Sequence, residues 1–398
     1  MSCTDRAYVA MLHGDRSEFF LYALLLGHRL RAFDFHGRRL LLLGSRSPTA
    51  ESHGSSADRS CLSKVWDIKD VELLDVAAAD KTWWKRHRFV FTKLHMFKVD
   101  VQKLLFFDLD VVVRRDPTEL FAIPAPAGMY HGTWDRMRAE HGKELPEDEA
   151  FGSPDAPKGC VNAGLLRIDP MSSETERQTQ YAQMVKASSQ LSADDRSYLP
   201  EQYFLVQRLS GWRHIDVKWN CEVCPRYYVD HKGQVVSVES LVHQDWVLLC
   251  DSQLSLQEGV SMFHFSGTWL EPWWFINRSA EDGLEFVRHQ FEHRDPAGMV
   301  ALAVGEWLRG IEQMQLSSVF GIADQKCIAE HVSSLSRTAH WWWSVHQEVC
   351  GVCGKLLCFA AVLRQCEECI VRLSLQPAVA TSIRRIRRKT VRTNDSEA

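Results

Sequence analysis

Along the first two-thirds of the chain, short solid apolar runs alternate with stretches whose apolar residues recur at helical spacing. Tyr8–Leu12 is a strand-like run that ends in His13-Gly14-Asp15, a turn. Over Glu18–Leu30 the residues Phe19, Tyr22, Leu26 and Leu30 recur every three or four positions, which predicts a helix with one buried face. Leu40–Leu43 predicts a second buried strand, stopped by Gly44, and the Ser- and Gly-rich Arg46–Asp58 predicts a loop. A third strand is expected over Val71–Val76, a helix over Arg88–Val99, and the most strongly patterned strand of the chain over Lys103–Val113. Cys160–Ile168, entered through the Gly152–Gly159 loop and stopped by Pro170, is another strand; Glu174–Ala187 and Glu201–Leu209 read as helices. Alternation of this kind argues for an α/β sheet covered by helices on both faces. There is no internal repeat.

From Ser279 the pattern changes. Glu281–Glu292 and Ala301–Gln315 look helical and few strand signals remain. The last stretch, His340–Ala398, carries three consecutive tryptophans (Trp341–Trp343), five cysteines, and nine Lys/Arg against five Asp/Glu, whereas the chain as a whole has a net charge of −4. That asymmetry marks a tail module of its own. The organisation expected is therefore an α/β domain over 1–278, a helical extension over 279–339, a small cysteine-rich module over 340–376 and a basic disordered tail over 377–398.

At 398 residues, 45% hydrophobic and 25% charged, the composition is that of a globular protein, and the acidic balance speaks against a chain-wide nucleic-acid binder. No apolar run approaches the roughly 20 residues needed to cross a bilayer. Met1-Ser-Cys-Thr-Asp-Arg has no basic segment leading into an apolar one, so a cytoplasmic location is expected. The 12 cysteines are then reduced thiols or metal ligands rather than a disulfide framework. For the lone Cys221-x-x-Cys224 core packing is the expectation, and the Asn277-Arg-Ser279 sequon has no role in that compartment.

The sharpest chemical feature is Leu104-Leu-Phe-Phe107-Asp108-Leu109-Asp110, two carboxylates spaced i, i+2 at the end of an apolar strand. On an extended chain both point to one face. Strand ends at the carboxyl edge of an α/β sheet are where ligands bind, and paired carboxylates there suit a hard divalent cation, Mn²⁺ or Mg²⁺, that bridges a diphosphate. The same residues also fit a haloacid-dehalogenase-type phosphatase with Asp108 as nucleophile. That motif usually opens its domain, and here about a hundred residues of α/β pattern precede it.

Several further segments stand in a fixed order around the carboxylates: Phe91-Thr92-Lys93-Leu94-His95 before them, then Gly159-Cys160-Val161-Asn162-Ala163-Gly164, Glu201-Gln202, Met262-Phe263-His264-Phe265-Ser266-Gly267 and Glu271-Pro272-Trp273. Through these segments the chain resembles glycosyltransferase family 8, the glycogenin-like enzymes, from about Tyr8 to Trp274. The resemblance implies a GT-A nucleotide-sugar-binding fold and a Mn²⁺-dependent retaining hexosyltransferase, with UDP-glucose as the expected donor. It implies that Asp108, Asp110 and His264 hold the metal. Leu12, Asp15, Phe107, Asp108, Leu109 and Gly267 would contact the nucleotide and its phosphates, and Asn162, Ala163 and Gly164 the sugar. Lys93 would pair with a metal-site carboxylate or the donor, Glu201 would touch a sugar hydroxyl, and Gln202 would sit near the anomeric carbon. The partners implied are a UDP-sugar donor, a protein or carbohydrate acceptor and a second copy in a homodimer. Two positions depart from the family pattern: Glu271 stands where the family has Lys, and Tyr203 follows Glu201-Gln202 where the family has Gly. These departures motivate an alternative, a catalytically decayed scaffold with an interaction tail.

In that tail, Cys350-x-x-Cys353 is followed by Cys366-x-x-Cys369, a spacing suited to a structural zinc with four thiolate ligands. Arg384–Arg392 holds six positive charges in nine residues. A solvated tail is the default for such a run; anionic lipid, nucleic acid or an import receptor are the partners it could otherwise attract.

Overall fold

The computed structural model describes residues 5–14, 16–45, 56–75, 88–130, 140–145, 161–191, 200–223, 226–229, 235–240, 259–266, 271–278 and 299–353, with the backbone alone for 200, 226–229, 235–240, 299 and 341–353. Asp15, Gly267, Cys366, Cys369 and the expected helix over Glu281–Glu292 lie outside the described residues, as do the side chains of Cys350 and Cys353.

The predicted alternation forms one mixed sheet. Its strands are β1 (Arg6–His13), β2 (Arg38–Ser45), β3 (Asp67–Glu72), β4 (Lys103–Phe107), β6 (Ala127–Tyr130), β7 (Val161–Ile168) and β8 (Arg213–His214), with β5 (Val111–Val113) set apart. The order across the sheet is β3-β2-β1-β4-β7-β6-β8. The β1–β2, β2–β3 and β1–β4 pairs are parallel, while β7 runs antiparallel to both β4 and β6. Ala7 to Ala10 and Leu40 to Leu43 are buried, as solid apolar runs in a covered parallel half require. β9 (Cys221–Glu222) and β12 (Met262–His264) join β5 in a three-stranded sheet, and β10 (Arg226–Val229) pairs with β11 (Val235–Ser240).

The helices are α1 (Ser17–Phe33), α2 (Ser56–Leu62), α3 (Glu174–Ser189), α4 (Pro200–Arg208), α5 (Met299–Gln315) and α6 (Ile322–Cys353). β1 ends in Gly14, whose φ of +86° is open to glycine at no steric cost, so the chain can turn sharply into α1. α3 opens on a capping box: Ser173 Oγ accepts from Glu176 N and the Glu176 carboxylate accepts from Ser173 N. α1 contacts β1, β2 and β5, and α5 and α6 both contact α1. One buried apolar cluster accordingly runs from Ala7 to Ala339, and it includes Trp307 of α5 edge-on to Tyr22 of α1. α6 continues without a break past position 340, where the charge asymmetry placed the start of a tail module. No helix among the described residues is long and apolar enough to cross a membrane.

Four local expectations are corrected. The strand expected over Lys103–Val113 is two strands in two sheets, β4 and β5, and the chain leaves the first at Asp108–Asp110. Arg88–Val99 is not an α-helix but a 3-10 segment over Val90–Lys98. Its three-residue period stacks Phe91, Leu94 and Phe97 in one buried row, which a 3.6-residue turn would splay. The strand expected over Val71–Val76 lies earlier, at Asp67–Glu72, because β3 is an edge strand in which only Val71 is buried, so it carries little apolar signal. The expected Arg46–Asp58 loop gives way to helix by Ser56.

Candidate functional site

The break between β4 and β5 builds the site. The Asp108 amide donates to Gly164 O at 2.8 Å, tying the end of β4 to β7. Asp110 O accepts from Phe265 N at 2.8 Å, and β12 then pairs with β5 in the register His264↔Val111. Asp108, Asp110 and His264 thus converge, with one ligand atom from each within 4.8 Å of the others, although they come from segments far apart in sequence. His264 Nε2 lies 3.4 Å from Asp110 Oδ1.

A buried amide network sets the histidine tautomer. The Gly164 N–H can only donate, and it donates to Asn162 Oδ1 at 2.8 Å. That oxygen also accepts from Asn220 Nδ2 at 2.9 Å, so Asn220 Oδ1 is the atom that faces His264 Nδ1 at 2.9 Å. Nδ1 must then carry a proton, and Nε2 is the nitrogen left toward Asp110. Fixing one ring nitrogen by a hydrogen bond so that the other can ligate is how metal-binding histidines are oriented. Asn162 Nδ2 donates onward to Glu222 Oε1 at 2.9 Å. Gly164 is required here, because a Cβ on it would run into the His264 ring, 2.6 Å from Nδ1. With two carboxylates and one correctly presented imidazole, the donor set fits Mn²⁺, and Mg²⁺ through its oxygens.

Lys93 lies under this cluster. It is 3% exposed, and its Nζ donates to Asp108 Oδ1 at 3.0 Å and to Glu201 Oε1 at 3.4 Å. Burial favours the neutral amine, but Asp108 and Glu201 outweigh it and hold the lysine above its ordinary range, so it is an ammonium. Burial also pushes the Asp108 carboxyl upward, with Lys93 opposing and Asp110 reinforcing. His264 shows the opposite balance: burial works against the imidazolium, but Asp110 outweighs it and raises the pKa. The Glu201 Oε2 atom is buried and has no hydrogen-bond partner among the described residues, while Gln202 Oε1 accepts from Ala163 N at 3.1 Å.

The structure therefore brings together Lys93, Phe107, Asp108, Leu109, Asp110, Asn162, Ala163, Gly164, Glu201, Gln202 and His264. Leu12 sits near the end of the neighbouring β1, buried, in register with Leu43. Glu271 accepts a hydrogen bond from Tyr22 Oη of α1 at 2.7 Å, and burial followed by Glu271 and Asp110 raises the Tyr22 pKa, which places that carboxylate close to the cluster. Asn220, Glu222 and Tyr22 were missed in the sequence. The only trace of the first two is their i, i+2 spacing in Asn220-Cys-Glu222, which carries no motif.

No protein-family model matches the chain. In sequence it is similar to an uncharacterized protein of Acanthamoeba polyphaga mimivirus, 27% identical over 176 residues, or 43% of this chain. The chain spans 57% of that relative's length. Among solved structures it is similar to the galactosyltransferase LgtC in complex with donor and acceptor sugar analogs, at 16% identity and a TM-score of 0.48, over 79% of this chain and 98% of that one. It is also similar to the glycosyltransferase GlyE of Streptococcus pneumoniae (15%, TM-score 0.39, 67% and 56%) and to mouse xyloside xylosyltransferase 1 (15%, TM-score 0.36, 66% and 98%).

Proposed function

We propose that this chain is a divalent-metal-dependent glycosyltransferase of the family 8 type, moving a hexose from a UDP-sugar, UDP-glucose in the first instance, to a hydroxyl of a protein or carbohydrate with retention at the anomeric carbon. The observation that carries the reading is the Asp108–Asp110–His264 cluster, in which Asn220 occupies His264 Nδ1 and Nε2 faces the carboxylates, backed by a buried lysine between two carboxylates. Asp108, Asp110 and His264 would hold a divalent cation, which when bound would supply Lewis-acid stabilisation of negative charge on a departing diphosphate. Lys93 opposes the upward push that burial gives Asp108, favouring its carboxylate form, and holds it in place by a hydrogen bond. Glu201 Oε2, buried and without a partner, has the lone pairs to accept from a sugar hydroxyl. Gln202 and Ala163, locked to each other, form the wall against which the sugar is oriented.

UDP release from UDP-glucose, with Mn²⁺ and with chelator, while the intact protein is weighed by mass spectrometry, tests this. Mn²⁺-dependent release with hexose-sized mass steps identifies a self-glycosylating transferase, and release without added mass means a separate acceptor or hydrolysis of the donor. Asp110→Asn is expected to abolish release at saturating Mn²⁺; full turnover by that variant removes the metal site from the reaction. The alternative, a decayed scaffold, draws on the Glu271 carboxylate held beside the cluster by Tyr22, a like charge to a diphosphate. Folded protein that binds no UDP-sugar in calorimetry would favour it.

A further inference from the structure

A second group of metal-ligating side chains lies away from this site, between α2, α6 and the start of α1. Asp58 and Cys61 are spaced i, i+3 on α2, and Cys327 and His331 i, i+4 on α6, so each helix turns two side chains to one face. The two helices are in contact. Asp58, Cys327 and His331 each offer a ligand atom within 4.8 Å of the other two. His331 Nε2 is 3.0 Å and Cys327 Sγ 3.2 Å from Asp58 Oδ1. Cys61, one turn along α2, is buried beside this triad but is not part of it, its thiol donating to Asp324 O at 3.8 Å. Both thiols are buried, whereas the Asp58 and His331 side chains keep 17% and 16% exposure, an entry path for an ion.

We propose that Asp58, Cys327 and His331 bind one zinc ion, with water as the fourth ligand, that fastens the C-terminal helix to the sheet-bearing part of the chain. A thiolate, an imidazole, a carboxylate and one water are a donor set that zinc takes in tetrahedral geometry. In such a site the ligand atoms are about 3.4 to 3.8 Å from one another, given zinc–sulfur bonds of about 2.3 Å and zinc–nitrogen and zinc–oxygen bonds near 2.1 Å. The observed 3.0 and 3.2 Å separations need to open by only a few tenths of an ångström. The second shell is in place: His331 Nδ1 lies 3.1 Å from Ser17 Oγ, which lets Nδ1–H donate and leaves Nε2 to the metal, and Phe20 stacks on the His331 ring at 4.0 Å. Binding replaces the Cys327 thiol proton, which passes to solvent, by one zinc–sulfur bond.

The tail cysteines would confuse a simple zinc count, so the test uses full-length chain in which Cys350, Cys353, Cys366 and Cys369 are serine. Purified under reducing conditions from zinc-replete medium, this chain is expected to hold one zinc by mass-spectrometric metal analysis. Cys327→Ser and His331→Ala are expected to lose it, and His331→Cys to keep it. The chelator-treated chain should melt at a lower temperature and recover on adding zinc. If Cys327→Ser fails to fold, cobalt(II) loaded into the parent must give thiolate-to-cobalt charge-transfer absorption. A folded zinc-free parent, zinc content indifferent to Cys327→Ser, no charge-transfer band, or a Cys61–Cys327 disulfide in zinc-free protein would each overturn the proposal, leaving a His331–Asp58 ion pair beside two thiols.

Discussion

His264 becomes a ligand only in the tautomer with Nδ1 protonated, and a single amide, Asn220, decides that. Asn220→Ala removes the acceptor and leaves Asn162 short of one donor. It should weaken Mn²⁺ binding by roughly 10- to 100-fold with the fold retained, as titration calorimetry alongside circular dichroism will show. Lys93 is a different case, since its loss would leave the buried Glu201 and the half-buried Asp108 carboxylates facing each other. Lys93→Met is expected to cost roughly 3–5 kcal/mol in urea unfolding. A third residue sets a pH dependence away from the site. His214 is fully buried and its Nδ1 accepts from Tyr130 N at 3.1 Å. Burial lowers its pKa from 6.5 to about 4. The unfolded chain therefore takes up a proton first as pH falls, so the stability contributed by neutral His214 is complete above pH 6.5 and is lost between 6.5 and about 4. The melting temperature should fall across that window, and His214→Asn, which can still accept from Tyr130 N, should flatten the fall. The metal carboxylates, Lys93 and Gln202 are legible in the sequence because each sits in a short contiguous segment. Asn220 and Glu222 are not, because their roles come from partners on β7 and β12.

Whether the elements come out as the pattern predicts depends on how locally their packing is decided. α1 lies close to its predicted span, although it is buried all round from Phe20 to Gly27 rather than on one face, because the sheet and the C-terminal helices cover it on both sides. β3 and the 3-10 segment at Val90–Lys98 depart from theirs, one being an edge with little to bury and the other packing at a three-residue period. Close approach between elements is also invisible in sequence. Gly27 on α1 is an example: a Cβ there would come 2.7 Å from the Trp66 ring, whose Nε1 donates to Ala23 O of the same helix. Gly27→Ala, favourable in an isolated helix, is therefore expected to destabilise the protein by roughly 1–3 kcal/mol through overpacking. Thermal melting would show it, and unchanged or raised stability would mean that Trp66 yields without cost.

Across the whole molecule, α5 and α6 share the apolar cluster of the sheet and α1, with Trp307 and Ala339 both buried. Tryptophan fluorescence and far-ultraviolet circular dichroism should therefore report one coincident unfolding transition, and two separated transitions would mean that the C-terminal helices melt on their own. The sequence by itself determined the alternation of β1, α1, β2, β4, β7, α3 and α4 along the chain, the end of β4 as the candidate site, and the residue types gathered there. These rest on periodicity and on motifs only a few residues long, information held in neighbouring positions. The tertiary structure alone decided the order and direction of the strands across the sheet, that the chain breaks at Asp108–Asp110, that β12 brings His264 to that break, that Asn220 takes its Nδ1, and that α6 brings Cys327 and His331 to Asp58. Each of these needs partners distant along the chain, and burial makes every polar group among them find a specific donor or acceptor. That demand is met only once the strands and helices have packed.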